Sequence, residues 1–198
     1  MADKNTRRMQ EGIRSFIAFE LPEEIRRSIA ALADRLRSFH LKARWVRPES
    51  IHLTLKFLGC IDPAKLEPVI HAMQDAVKGV APFALSAKGI GLFPGINRPR
   101  VIWIGLSGRK EVLDQIQCVL QDRLSSIGYK KEDRQFHGHL TLGRFREQVN
   151  PMELSKALEA LGSFESPPFV LDRITLFQSE LKPSGAVYTT LSSVHLSP

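Results

Sequence analysis

Two tetrapeptides carry the residue types of a phosphoryl-transfer site: His52-Leu53-Thr54-Leu55 and His139-Leu140-Thr141-Leu142. On an extended chain successive side chains point to opposite faces. In each copy the imidazole and the hydroxyl therefore share one face, and the two leucines share the other. Imidazole, with an ordinary pKa of about 6.5, takes or gives a proton near neutral pH. A threonine hydroxyl can donate to a non-bridging phosphate oxygen. In-line displacement at phosphorus needs a base on one side and an acid on the other, and two such strands facing each other supply both. Spacing leaves open which histidine is which, because the copies are nearly alike. A single His-x-Thr strand is ordinarily no more than a satisfied polar face, so the weight rests on the duplication.

A metal site is the competing chemistry. Neither motif brings a second histidine at i+4, and no carboxylate or cysteine cluster stands beside either. His137, two residues before His139, can share its face, which leaves an incidental metal pair there as the alternative; no metal or cofactor is expected. Arg47, Lys56, Arg98, Arg100, Arg144 and Arg146 lie near the motifs. Such side chains are usually solvated surface, but Arg144 follows the second motif closely and can hold a phosphate oxygen bidentately. Phe93 is a candidate to stack on a base, ahead of Trp45 and Trp103, although aromatics in apolar strands are more often core.

The elements that must position these residues repeat with them. His139 follows His52 by 87 positions, and Pro168-Phe169-Val170-Leu171 follows Pro82-Phe83-Ala84-Leu85 by 86; Leu92-Phe93 has its counterpart in Leu176-Phe177. A near-constant offset argues for duplication, and two copies suggest two similar α+β lobes about an approximate two-fold axis. The apolar runs predict strands over 15–21, 50–58, 83–92, 101–106, 139–145, 169–177 and 186–194. Helices are predicted after Pro22 (Ile25, Ile29, Leu32 and Leu36 on one face), over 66–77, over 110–127 with Gly128 as the stop, and over 152–161. The expected fold is thus α+β and two-lobed, each lobe an antiparallel sheet with helices on its outer face and the active-site groove between the lobes. Residues 1–12 are polar and aperiodic and read as a flexible tail, leaving 13–198 as a single bilobal domain.

Composition is permissive. The 198 residues suffice for one good core. A net charge of +7 would steer anions, nucleic acid included. Cys60 and Cys118 stand far apart without metal-site spacing, no run of about 18 apolar residues occurs, and residues 1–11 lack the pattern of an export signal. A cytoplasmic setting, no membrane association and no obligate protein partner are expected.

With these residues in view, the chain resembles the two-histidine phosphoesterases, and among them the bacterial and archaeal RNA 2′,3′-cyclic phosphodiesterases historically called 2′-5′ RNA ligases. The likeness runs through Arg14 to Pro22, Arg44-Trp45-Val46, His52 to Gly59, Phe93-Pro94, Pro99 to Trp103, His139 to Arg144, Leu176 to Leu181 and Gly185 to Tyr188. It implies opening of a terminal 2′,3′-cyclic phosphate to a 2′-phosphate without metal, on RNA ends such as those of tRNA halves. It further implies His139 as the proton acceptor that activates water and His52 as the proton donor to O3′. Thr54, Thr141 and Arg144 would bind the phosphate, and an RNA 5′-hydroxyl attacking in place of water, or the reverse of that step, would account for 2′-5′ joining. One departure is Gly138, where relatives commonly carry proline. The alternatives are a non-catalytic RNA-binding module and a phosphodiesterase for a small cyclic nucleotide.

Overall fold

A computed structural model describes residues 12–183 and 185–198; apart from Gly12, the tail expected over 1–12 lies outside the described residues. The first strand, β1 (Ile13–Glu20), is followed by Pro22, whose fixed φ suits a helix entry, and Glu23 and Glu24 favour the positive end of α1 (Glu23–Arg37). After the short β2 (Ala43–Trp45) comes β3 (His52–Ile61). The Asp62 side chain then accepts from the Ala64 amide at 2.9 Å and opens the turn into α2 (Leu66–Val77). The hairpin of β4 (Phe83–Phe93) and β5 (Val101–Gly108) is followed by α3 (Lys110–Ser126) and β6 (Leu140–Phe145). Asn150 accepts from the Met152 amide at 2.9 Å to start α4 (Pro151–Leu161); β7 (Phe169–Leu171), β8 (Arg173–Lys182) and β9 (Gly185–His195) close the chain.

The strands run in the order β7-β4-β5-β6-β3-β1-β8-β9, antiparallel throughout, with β2 on β6. Two pairings locate the two-fold relation. Leu53 pairs with Leu140, and Phe83, Ala84 and Leu85 pair with Leu171, Val170 and Phe169. These are the residues that the sequence offset equates, so each pairing is its own symmetry mate. Because β7 leads through Asp172 into β8, the sheet curls back on itself. The single run expected over 169–177 is split there because its first part pairs with β4 in one lobe and its second with β1 in the other. Both lobes are present, but the repeats exchange strands. The first copy sends β3 to lie beside β1, which in turn pairs with β8 of the second copy, while its β4 and β5 join β6 of the second copy.

The helices cover one face of this curled sheet. Ile25, Ile29, Leu32 and Leu36 of α1 pack with Ile17 and Phe19 of β1, Leu53 of β3 and Leu140 of β6 in one continuous apolar core, as the 3.6-residue and two-residue periods require. On the opposite face of β1, Phe16 and Ala18 form a smaller cluster with Phe177 and Tyr188. That face carries the groove.

Candidate functional site

His52 opens β3 and His139 immediately precedes β6, and each ring is fixed in the same way. His52 Nδ1 lies 2.8 Å from the Ser50 carbonyl oxygen, and His139 Nδ1 lies 2.6 Å from that of His137. A carbonyl only accepts, so Nδ1 carries the hydrogen in both rings, leaving Nε2 of each neutral ring as the basic atom. Gly138 does not disturb this arrangement. A Cβ there would come 2.8 Å from Leu113 Cδ2, so the residue before His139 is held tight against the core.

The surroundings are aromatic. His52 stacks on Phe16 (ring centroids 4.6 Å, 27°) and meets Tyr188 edge-on at 5.3 Å. His139 meets Phe93 edge-on at 5.1 Å and Trp103 at 5.9 Å, and Phe93 and Trp103 stack on each other at 4.8 Å. Trp103 fits because Gly91 faces it across the hairpin, where a Cβ would lie 2.1 Å from its ring. Burial pushes the His52 pKa down to about 4 against the pull of the Ser50 carbonyl, and the charge of His139 lowers it further. His139 is also lowered, first by burial and then by the charges of His137 and Arg144, with the His137 carbonyl opposing.

Between the two histidine strands lies a groove of about 330 Å³. It brings together His52, Thr54, Thr141 and Arg144 with Arg14 and Tyr188. The Tyr188 phenol is pushed up by burial while Arg144 and Arg14 pull it down, which sets both guanidinium groups near it and keeps it a neutral donor. His139 stands on the Phe93 and Trp103 wall, two residues along the strand from Thr141. Phe93 packs edge-on against His139 with one ring face against Trp103, and it is not among the residues that line the groove. Arg47 lines an adjoining hollow that shares Arg144 and Tyr188 with the groove, whereas Arg146 lines a separate one with Arg44; Arg98 and Arg100 are exposed away from both.

Lys56 is the basic residue the structure removes from the surface. It is 4% exposed, and its Nζ donates to Gln121 Oε1 at 2.8 Å and the Lys130 carbonyl at 2.9 Å, with Glu132 at 3.4 Å. The cause is a bulge. Ala18 pairs with Thr54 but Ile17 with Lys56, so Leu55 is left out of the ladder with β1 and the next side chains, Lys56 to Leu58, change face until a second irregularity between Phe57 and Gly59. Lys56 turns inward and Phe57 turns into the groove. Sequence reasoning passed over Arg14, Phe57 and Tyr188. All three lie in segments that carry the resemblance, but strict alternation puts Phe57 on the wrong side. Among the described residues no three His, Cys, Asp or Glu side chains are grouped to hold a metal ion; His137 instead lies edge-on to Trp103 at 4.9 Å.

Comparison with known proteins meets the same geometry. Residues 19–103 and 104–188 each match the model of the LigT-like phosphoesterases, one match per repeat. The RNA 2′,3′-cyclic phosphodiesterase of Methanothermobacter thermautotrophicus is 31% identical over 93% of this chain and 99% of its own. That of Methanocaldococcus jannaschii is 32% identical over 90% and 98%. The crystal structure of E. coli LigT complexed with 3′-AMP superposes with a TM-score of 0.72 at 26% identity, covering 95% of this chain and 100% of that one.

Proposed function

Because this chain belongs to the LigT-like phosphoesterase family, we propose that it hydrolyses RNA ends bearing a 2′,3′-cyclic phosphate to 2′-phosphates through His52 and His139. The observation that carries this reading is the matched pair of histidines, each with Nδ1 bound to the carbonyl two residues before it: His52 lines a groove with Thr54, Thr141 and Arg144, and His139 stands two residues before Thr141.

In the reaction, Thr54, Thr141 and Arg144 bind the non-bridging oxygens and place phosphorus between the imidazoles. His139 Nε2 takes a proton from water as the water oxygen bonds to phosphorus. The bond from phosphorus to O3′ breaks, and His52 Nε2 delivers a proton to O3′. The 2′-phosphate remains, and the proton balance between the histidines is restored through solvent. The electrostatics fit these roles in sequence. Arg144 helps keep His139 unprotonated, as a base must be, and the anionic phosphate entering beside His52 raises the depressed pKa of that ring toward the acid form. An RNA 5′-hydroxyl that attacks phosphorus in place of water, with the same proton delivery to the departing O3′, gives a 2′-5′ link. Phe93 walls His139 in this reading. Cleaved tRNA fragments in the cytoplasm carry suitable ends.

The test is turnover of an oligoribonucleotide ending in a 2′,3′-cyclic phosphate, with EDTA present. Wild type should release the 2′-phosphate isomer. His52→Ala and His139→Ala should each lose about 100-fold or more, given the usual worth of a positioned acid or base. Activity indifferent to both substitutions would overturn the proposal, as would a 3′-phosphate product.

A further inference from the structure

Arg44 and Arg144 stand directly opposite each other where β2 pairs with β6. Cross-strand neighbours share a face with their Cβ atoms about 4.5–5.5 Å apart, and like charges placed there destabilise the ladder. A bulge fixes that face. In β6, Ile102 pairs with Gly143 but Trp103 with Thr141, so Leu142 is left out of the ladder with β5 and Arg144 turns to the groove. Among the described residues no carboxylate lies within ion-pair distance of either arginine. The repulsion between them is therefore not offset from within the described chain.

Both arginines line the hollow of about 270 Å³ that adjoins the groove and shares Ser50, Arg144 and Tyr188 with it. The third cation of this hollow is Arg47. A Cβ on Gly185 would meet Cζ, Nε and Nη2 of Arg47 all at 3.7 Å, so the guanidinium lies flat over that glycine at the start of β9. No Asp or Glu lines either the groove or the hollow among the described residues. Three guanidinium groups around a cavity without a carboxylate make a site for an anion with several acceptor oxygens. In the hydrolytic reading above, Arg144 is engaged by the reacting phosphate, which leaves Arg44 and Arg47 to face the next anion along the chain. Resting on that reading, we propose that Arg44 and Arg47 bind the internucleotide phosphate on the 5′ side of the terminal nucleoside, a second phosphate subsite that selects RNA over a cyclic mononucleotide. Two phosphates then lie among three guanidinium groups, and the repulsion across the β2–β6 pair is relieved only when RNA is bound. The RNA leaves the groove past β2.

The experiment compares a nucleoside 2′,3′-cyclic phosphate with a dinucleotide carrying the same cyclic end, turned over by wild type and by the Arg44→Gln/Arg47→Gln double variant. A charge-assisted hydrogen bond is worth about ten- to a hundredfold. The double variant should raise KM for the dinucleotide at least about tenfold with kcat little changed. It should turn over the mononucleotide as wild type does, which also shows that its site is folded. A neutral methylphosphonate in place of the internucleotide phosphate should cost wild type the same factor and the double variant nothing further. Equal losses on both substrates would overturn the subsite, as would a methylphosphonate penalty that persists in the double variant. Binding of the corresponding 2′-phosphates, followed by calorimetry, separates this proposal from the hydrolytic reading. If neither substrate is hydrolysed, a preference for the dinucleotide that depends on Arg44 and Arg47 upholds the subsite while the hydrolytic reading falls. Equal affinity of wild type for the two 2′-phosphates would overturn the subsite even if hydrolysis proceeds.

Discussion

Acidification should cost the native protein stability through His52 in particular. In the unfolded chain this ring has its ordinary pKa of 6.5, and in the folded protein burial holds it at about 4. Between those values the unfolded chain binds a proton at this position and the native chain does not, so stability must fall as the pH falls. The contribution is fully present above pH 6.5 and is lost progressively down to about 4, below which both states are protonated. At about 1.4 kcal/mol for each tenfold change, the loss amounts to about 3 kcal/mol, a large share of an ordinary stability of 5–15 kcal/mol. The assay is urea denaturation at intervals between about pH 7 and about pH 4, for wild type and His52→Gln, whose amide can still donate to the Ser50 carbonyl. Other titrating groups act in both proteins and cancel in the difference. The gap between the two curves should shift by about 3 kcal/mol in favour of the variant as the pH falls. Parallel curves across this window would refute the argument that the ring is desolvated.

Three further outcomes are expected. Lys56→Met should destabilise the fold by about 1–3 kcal/mol, since it strips one short hydrogen bond from Gln121 of α3 and one from the Lys130 carbonyl, while leaving kcat nearly intact; a large loss of kcat at unchanged denaturation midpoint would place Lys56 in the groove after all. Arg144→Ala should lower kcat/KM by about ten- to a hundredfold through the lost charge-assisted bond to phosphate. It should also raise the pKa of His139, because the guanidinium is one of the groups depressing it; with His139 as base, the acidic limb of the pH profile then moves to higher pH, and a limb that stays put or moves down would assign the base elsewhere. Gly91→Val should push Trp103 off its seat beside His139 at a cost of about 1–3 kcal/mol, visible as a change in tryptophan emission together with reduced turnover; unchanged emission would show that the ring does not lie over Gly91.

The sequence was readable wherever one period governed and opaque wherever a period changed. His52, Thr54 and Thr141 line one groove, with His139 two residues before Thr141, because each pair sits two residues apart on extended chain, and the helices of the core follow their apolar spacing. The offset between the copies anticipates the two-fold relation down to the residues on its axis, Leu53 with Leu140 and Ala84 with Val170. It does not reveal which lobe each strand enters, because the same alternation satisfies β3 beside β1 or beside β5. Pairing partners are set by where the helices lie, a long-range matter on which periodicity is silent. The bulges are the second opacity. Leu55 and Leu142 are ordinary strand residues, yet omitting each from its ladder reverses the faces that follow, sending Lys56 inward and Phe57 and Arg144 into the groove. Arg144 was found in advance because a cation near a phosphate motif attracts notice on chemical grounds alone. Phe57 was not, because a phenylalanine after alternating leucines reads as core. The one local hint was the comparison of Lys56-Phe57 with Gly143-Arg144: strict alternation would send Arg144 into the core, and a guanidinium is rarely buried without a partner. Its exposure requires a break in the period of β6, and the duplication transfers that break to β3 and to Phe57.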